Sequence, residues 1–97
     1  MFLVDMTFTD ITKATPELTV QHREYLAAEY ANGNLIFGGR KEPRTGGILL
    51  SKHNSEQALR DVLNDDPFVK NGVVECVITT FEPVMAAEQY QHLYQLH

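Results

Sequence analysis

The stretch Phe2-Leu3-Val4-Asp5-Met6-Thr7-Phe8-Thr9 places Phe2, Val4, Met6 and Phe8 on one parity and Leu3, Asp5, Thr7 and Thr9 on the other. Successive side chains of a strand point to opposite faces, so this spacing predicts a strand with one face in a core and the other turned away from it. The next segment changes period. Thr15-Pro16-Glu17 reads as a helix start, with Thr15 as the cap, Pro16 in the first helical position and Glu17 at the positive end of the dipole. Leu18, His22, Tyr25, Leu26 and Glu29 then recur along one helical face until Asn32-Gly33 supplies a stop. A short strand, Leu35-Ile36-Phe37, is expected to end at Gly38-Gly39, and a loop from Arg40 to Gly46 carries Arg40, Lys41 and Arg44, stiffened by Pro43.

Strand resumes from Gly47 to Ser51, and Asn54-Ser55-Glu56-Gln57 caps a second helix with Ala58, Leu59, Val62 and Leu63 as its apolar stripe. Asp66-Pro67 stops that helix, because the residue before proline is pushed out of the α region. After the Asn71-Gly72 turn, Val73 to Phe81 is the stretch richest in β-branched residues, and Pro83 ends it. Met85 to Leu96 reads as a terminal helix with Ala86, Tyr90, Leu93, Tyr94 and His97 on one face. The order strand, helix, strand, strand, helix, strand is the ferredoxin-like βαββαβ pattern: an α+β fold with an antiparallel sheet covered by helices on one side. Residues 1–83 are expected to form this domain and 84–97 a helical C-terminal extension. The uncovered sheet face is an association surface, and two such faces across a two-fold axis predict a homodimer closed as a dimeric α/β barrel.

Length and charge narrow the functional classes. A chain of 97 residues allows one domain. At this size folding buries roughly 65% of the extended chain's surface. That suffices for a core but leaves little for a deep pocket, so the site is expected to be finished at or beside a dimer interface. Thirteen acidic against eight basic residues, a net charge of −5 and a pI near 5.2 argue against nucleic-acid binding, which needs clustered cations. Cys76 is the single cysteine, so an intrachain disulfide and a cysteine-based zinc site are excluded. Its lone thiol fits a reducing compartment. No apolar run approaches a membrane span, and Met1-Phe2-Leu3-Val4-Asp5 lacks the basic region of a signal peptide. A cytoplasmic protein with no membrane partner is the expectation.

Three groups could carry chemistry. His22, inside an apolar helical stripe, is either a half-buried histidine bonded to backbone or a proton-transfer group, since imidazole can act as acid or base near neutral pH. Asp66 is either a turn residue before proline or a carboxylate that orients a histidine. Arg40, Lys41 and Arg44, between Gly38-Gly39 and Gly46-Gly47, are either a solvated cluster or a clamp on an anionic ligand. Phe68 reads as a core plug for the Asp66-Pro67 turn, and Cys76 as a small core residue. His53, His92 and His97 have no ligand partner at a diagnostic spacing, so no metal site is predicted, and neither GxGxxG nor GxxxxGK[ST] is present.

Taken together, His22 on the inner face of a helix, the Asn32-Gly33-Asn34-Leu35 turn, Gly38-Gly39, Gly46-Gly47, Ser55-Glu56, Asp65-Asp66-Pro67-Phe68-Val69 and Gly72 resemble the YCII (YciI-like) family over roughly residues 2 to 83. The resemblance departs at Gly38-Gly39-Arg40, where the family often carries Gly-Pro, and does not extend beyond Pro83. It implies a ferredoxin-like fold that dimerises as an α/β barrel, and a catalytic His and Asp that fall on His22 and Asp66. One type of member is a dehydrochlorinase of a chlorinated hydroxyquinol. With the residues read above, the expected function is a small cofactor-independent acid–base enzyme of the isomerase or lyase type, acting on a small anionic or aromatic substrate, with Arg40, Arg44 and Tyr25 as the expected substrate contacts. The alternative is a non-catalytic dimeric module that binds or senses such a molecule.

Overall fold

The structure, a computed structural model, describes residues 1–93. Strand β1 (Phe2–Phe8) is followed by a short 3-10 turn (Ile11–Lys13) and helix α1 (Pro16–Ala31). Strands β2 (Leu35–Arg40) and β3 (Gly46–Ser51), helices α2 (Glu56–Asn64) and α3 (Pro67–Lys70), strand β4 (Val74–Thr80) and a 3-10 helix (Glu88–Leu93) complete the order. The four strands form one antiparallel sheet in the order β2-β3-β1-β4, the ferredoxin-like arrangement that the sequence predicts.

The alternation in β1 does what its spacing demands. Phe2, Val4 and Met6 are buried under the helices, with Leu49 and Val74 from the flanking strands. Leu26 of α1, Leu59 and Leu63 of α2, and Phe68 of α3 complete this core. Each such side chain contributes about 1.5–3 kcal/mol by leaving water. The other parity looks outward: Leu3, Asp5 and Thr7 share an uncovered face with Ile48 and Leu50, their register neighbours, and with Val77 and Phe37, which are 66% and 58% exposed.

Both long helices start as the sequence indicates. The Thr15 hydroxyl accepts from the Leu18 amide, and the Ser55 hydroxyl accepts from the Ala58 amide. Three boundaries differ from expectation. Strand β2 runs through Gly38-Gly39 to Arg40 instead of ending at Phe37, because pairing with β3 (Gly38 with Leu49, Arg40 with Gly47) outweighs the weak strand preference of glycine. Arg40 therefore sits on a strand, and the loop shrinks to residues 41–45. Asp66-Pro67 ends one helix and starts another, since a capping side chain and an N1 proline are also helix-start signals. The C-terminal helix, expected from Met85, begins at Glu88 and is of the 3-10 type through Leu93, the last described residue. Tyr94 and His97 lie outside the described residues.

One glycine is fixed by packing close to the site. Gly46 has φ +155, and a Cβ there would stand 1.8 Å from the Met6 carbonyl oxygen, so only glycine lets β3 lie this close to β1.

Candidate active site

Asp66 owes its position to the proline after it. With φ −64 and ψ 129 it is extended, as a residue preceding proline must be, and its side chain folds forward to accept from the Phe68 amide at 3.0 Å. The carboxylate is thereby turned inward, and the residue is fully buried. A buried carboxylate needs partners. The second one comes from α1: His22 Nδ1 lies 2.7 Å from Asp66 Oδ1 and 2.9 Å from Oδ2. The imidazole also stacks on the Phe68 ring, with centroids 4.0 Å apart and planes 5° from parallel. One edge and one face of the imidazole are thus fixed by two residues of the same short segment. With Nδ1 against a carboxylate, the neutral tautomer assigned by this network carries its proton on Nδ1 and its lone pair on Nε2.

Asp66 also influences its neighbours. Burial first, and then the negative charge of Asp66, push the Cys76 thiol up to about 11. Cys76 is therefore a protonated core thiol at neutral pH, in keeping with its strand position. The Tyr25 phenol is raised by burial and by the charges of Asp65, Asp66 and Glu29.

His22 opens into a cavity of about 640 Å³. One wall is α1, which contributes Thr19, His22, Arg23, Leu26, Ala27 and Tyr30, spaced along a single helical stripe. The facing wall is the β2–β3 pair, where Gly38, Gly39, Gly46 and Gly47 bring almost bare backbone to the cavity beside Arg40 and Leu49. Met6, Phe8, Phe68 and Val74 line it with apolar surface, and Arg44 joins from the β2–β3 loop. The walls come from one chain, so more of the pocket is self-made than so short a sequence leads one to expect. The glycine wall is the physical reason, because space that side chains would fill is left empty.

Of the predicted site residues, His22 and Asp66 meet, and Arg40 and Arg44 line the same cavity as His22. Tyr25 stands apart: it is not among the lining residues, and its hydroxyl donates to the Val62 carbonyl at 2.7 Å, tying α1 to α2. Lys41 forms an ion pair with Asp5 instead of joining the two arginines. Sequence reasoning passes over Arg23 and Tyr30. The signal for both is the spacing Thr19, His22, Arg23, Leu26, Ala27, Tyr30, a helical stripe rotated slightly from the one that carries Tyr25 and Glu29. It also passes over a buried chain of polar groups. His53 Nδ1 is 2.5 Å from Ser51 Oγ, and His53 Nε2 is 3.2 Å from Glu29 Oε1.

Among the described residues no group of three or more His, Cys, Asp or Glu side chains is placed to hold a metal ion. No helix there is long and apolar enough to cross a membrane.

Comparison with known proteins adds two findings. A family profile described as YCII-related domain matches residues 5–82. A solved structure of 5-chloro-2-hydroxyhydroquinone dehydrochlorinase from Burkholderia phenoliruptrix, in complex with 2,5-dihydroxybenzoquinone, superposes with a TM-score of 0.71. The alignment covers 84% of this chain and 92% of that one at 18% identity, so the likeness is one of fold. A comparison with curated proteins gives no match.

Proposed function

The chain belongs to the YCII-related domain family, and from that premise we propose that it is a small cofactor-independent enzyme that moves protons with His22 on a small anionic or aromatic substrate. The observation that carries this reading is the ring of His22, held edge-on by a fully buried carboxylate and face-on by Phe68, at the wall of a cavity that also presents Arg40 and Arg44. Fixing a base in one tautomer and one orientation is what general base catalysis requires. The dehydrochlorinase of like fold, solved with 2,5-dihydroxybenzoquinone bound, supports a small-molecule enzyme of the elimination type.

In this reading the Nε2 lone pair of His22 takes a proton from a substrate C–H or O–H. Asp66 does not take that proton; its charge stabilises the imidazolium that forms, which makes it a positioning residue. In an elimination the electron pair of the broken C–H bond becomes a double bond and the leaving group departs as an anion. In an isomerisation His22 returns the proton to another atom of the same molecule. The guanidinium groups of Arg40 and Arg44 hold a carboxylate or phenolate, and the apolar lining keeps water from weakening that attraction.

We take the active form to be a homodimer joined through the uncovered sheet faces, with residues 1–83 as the module that dimerises and 84–97 as an extension to it. The exposed apolar side chains of Leu3, Phe37 and Val77 on that face support this assembly.

The test uses the native protein, His22→Ala and Asp66→Asn. Binding of 2,5-dihydroxybenzoquinone is measured by calorimetry, and a panel of hydroxylated and chlorinated aromatic acids is followed by absorbance and chloride release. His22→Ala should lose about 10²–10⁴-fold in turnover while binding the quinone within a few-fold of the native protein. Asp66→Asn should also lose turnover. Turnover unchanged in His22→Ala would overturn the role of His22. Ring binding without turnover of any panel member by the native protein would favour a binding module instead.

A further inference from the structure

Two tyrosines of α1 are employed differently. Tyr25 spends its hydroxyl on the Val62 carbonyl and lies off the cavity. Tyr30 lines the cavity, and its hydroxyl has no hydrogen-bond partner among the described residues. Its location is unusual. A Cβ on Gly38 would stand 1.8 Å from Tyr30 Oη and 3.1 Å from its Cζ, so the phenol lies where any other residue at position 38 would place its side chain.

The backbone does not ask for glycine at this point. Gly33, Gly46 and Gly72 have positive φ; Gly38 does not, and it sits inside a paired strand where glycine weakens the structure. The tightest demand on position 38 is therefore room for the Tyr30 hydroxyl. The other close neighbour of that missing Cβ, Leu49 Cδ2 at 3.0 Å, is the end of a flexible side chain.

The register brings Arg40 to the same wall. Gly38 and Arg40 face the same side of β2, two residues apart, which is roughly 7 Å along a strand. Tyr30 Oη stands over Gly38 and the Arg40 side chain starts from the same side of the strand about that far along, so the two bracket a length on the scale of a single ring. His22, on α1, lines the same cavity.

We propose that Tyr30 is a substrate-binding residue whose hydroxyl donates a hydrogen bond to an oxygen at the end of an aromatic anion opposite the end held by Arg40, and that Gly38 is the companion residue that gives it room. The inference rests on the reading of this cavity as the site, and it narrows the substrate to a single-ring anion with an oxygen acceptor at its far end. Burial pushes the Tyr30 phenol up, so it remains a donor at neutral pH.

The experiment compares 4-acetylbenzoate with 4-isopropenylbenzoate, which has the same shape without the oxygen. Each is titrated into the native protein, Tyr30→Phe, Gly38→Ala and the double variant, with thermal melts confirming that all are folded. The native protein should prefer the acetyl compound about tenfold, as one hydrogen bond to a matched site allows. Tyr30→Phe should abolish the preference while leaving the affinity for the isopropenyl compound within about twofold. Gly38→Ala, whose methyl group displaces the end of the tyrosine side chain, should do the same, and the double variant should add nothing. A preference that survives Tyr30→Phe or Gly38→Ala, or one absent from the native protein, overturns the proposal. An Arg40→Ala, Arg44→Ala variant separates the two levels. If the benzoates do not bind the native protein, or bind it regardless of these arginines, the reading of the cavity fails and this proposal with it. If they bind through the arginines but ignore Tyr30, only this proposal fails.

Discussion

Asp66 serves two partners with one oxygen: Oδ1 accepts from the Phe68 amide and faces His22 Nδ1. In the sequence, Asp66-Pro67 reads as a turn and His22 as a histidine in an apolar stripe, and neither reading contains the other. The two residues are 44 positions apart, and no local pattern encodes a contact at that separation. Only the likeness to a family pairs them ahead of the structure. The arginines are legible in the sequence, because a cluster of positive charge in an acidic chain stands out by sign alone. The sequence points to Tyr25 and gives no sign of Tyr30, because the apolar stripe of α1 and its cavity stripe overlap at His22 and Leu26 and only the packed sheet separates them. The double duty of Asp66 makes a stability prediction. Asp66→Ala removes the cap of α3 and leaves the Phe68 amide and His22 Nδ1 without their acceptor, at a cost of roughly 2–4 kcal/mol. Denaturant unfolding should show a larger loss for Asp66→Ala than for His22→Ala, and equal losses would mean that the cap contributes little.

At the level of elements, the fold was legible wherever two signals agreed. The period of β1, the caps Thr15 and Ser55 and the β-branched run of β4 each have one reading. The end of β2 was not legible, because two glycines argue against strand and only the neighbouring strand argues for it. The joint between α1, β2 and the β3–α2 connection depends on Glu29, which none of those local signals reveals. Its carboxylate accepts from Asn32 at 2.6 Å and from His53 at 3.2 Å. Burial raises the Glu29 carboxyl, but the hydrogen bonds from Asn32, His53 and Asn34 outweigh it, and the net shift is downward. A folded-state value below the unfolded one contributes stability that is present above the ordinary carboxylate range and is lost as pH falls through the lowered value. Glu29→Gln should therefore be less stable than the native protein at pH 7 by about 1 kcal/mol, and the two should converge as the pH drops below the normal carboxylate range. Denaturation midpoints measured at both pH values check this, and a gap that persists at low pH would point to packing instead.

For the molecule as a whole, the net charge of −5 conceals a local reversal. Arg23, Arg40 and Arg44, three of the eight cationic residues, line one cavity. An acidic protein with a basic cavity repels anions in general and favours those that reach this one place. The opposite side of the sheet sets Leu3, Phe37, Ile48, Leu50 and Val77 around the Asp5–Lys41 ion pair and Glu75, and its proposed role is assembly. Val77, 66% exposed near the middle of β4, lies directly opposite Asp5, so a second carboxylate there would set two like charges between packed sheets. Sedimentation should find the native protein as a dimer and Val77→Glu shifted toward monomer with its helical signal intact. A native protein that sediments as a monomer at micromolar concentration would remove the barrel from the account.

The hydrogen bond from the Phe68 amide to Asp66 Oδ1 has a practical consequence for spectroscopy. The imidazole of His22 and this amide share one acceptor atom, so gain or loss of charge on the ring changes the electron density that the amide proton feels. A single backbone cross-peak in a nitrogen–proton correlation spectrum then follows the protonation of a side chain on another helix. The peak needs no label in the cavity and no substitution there, and it can be watched while candidate molecules are added one at a time.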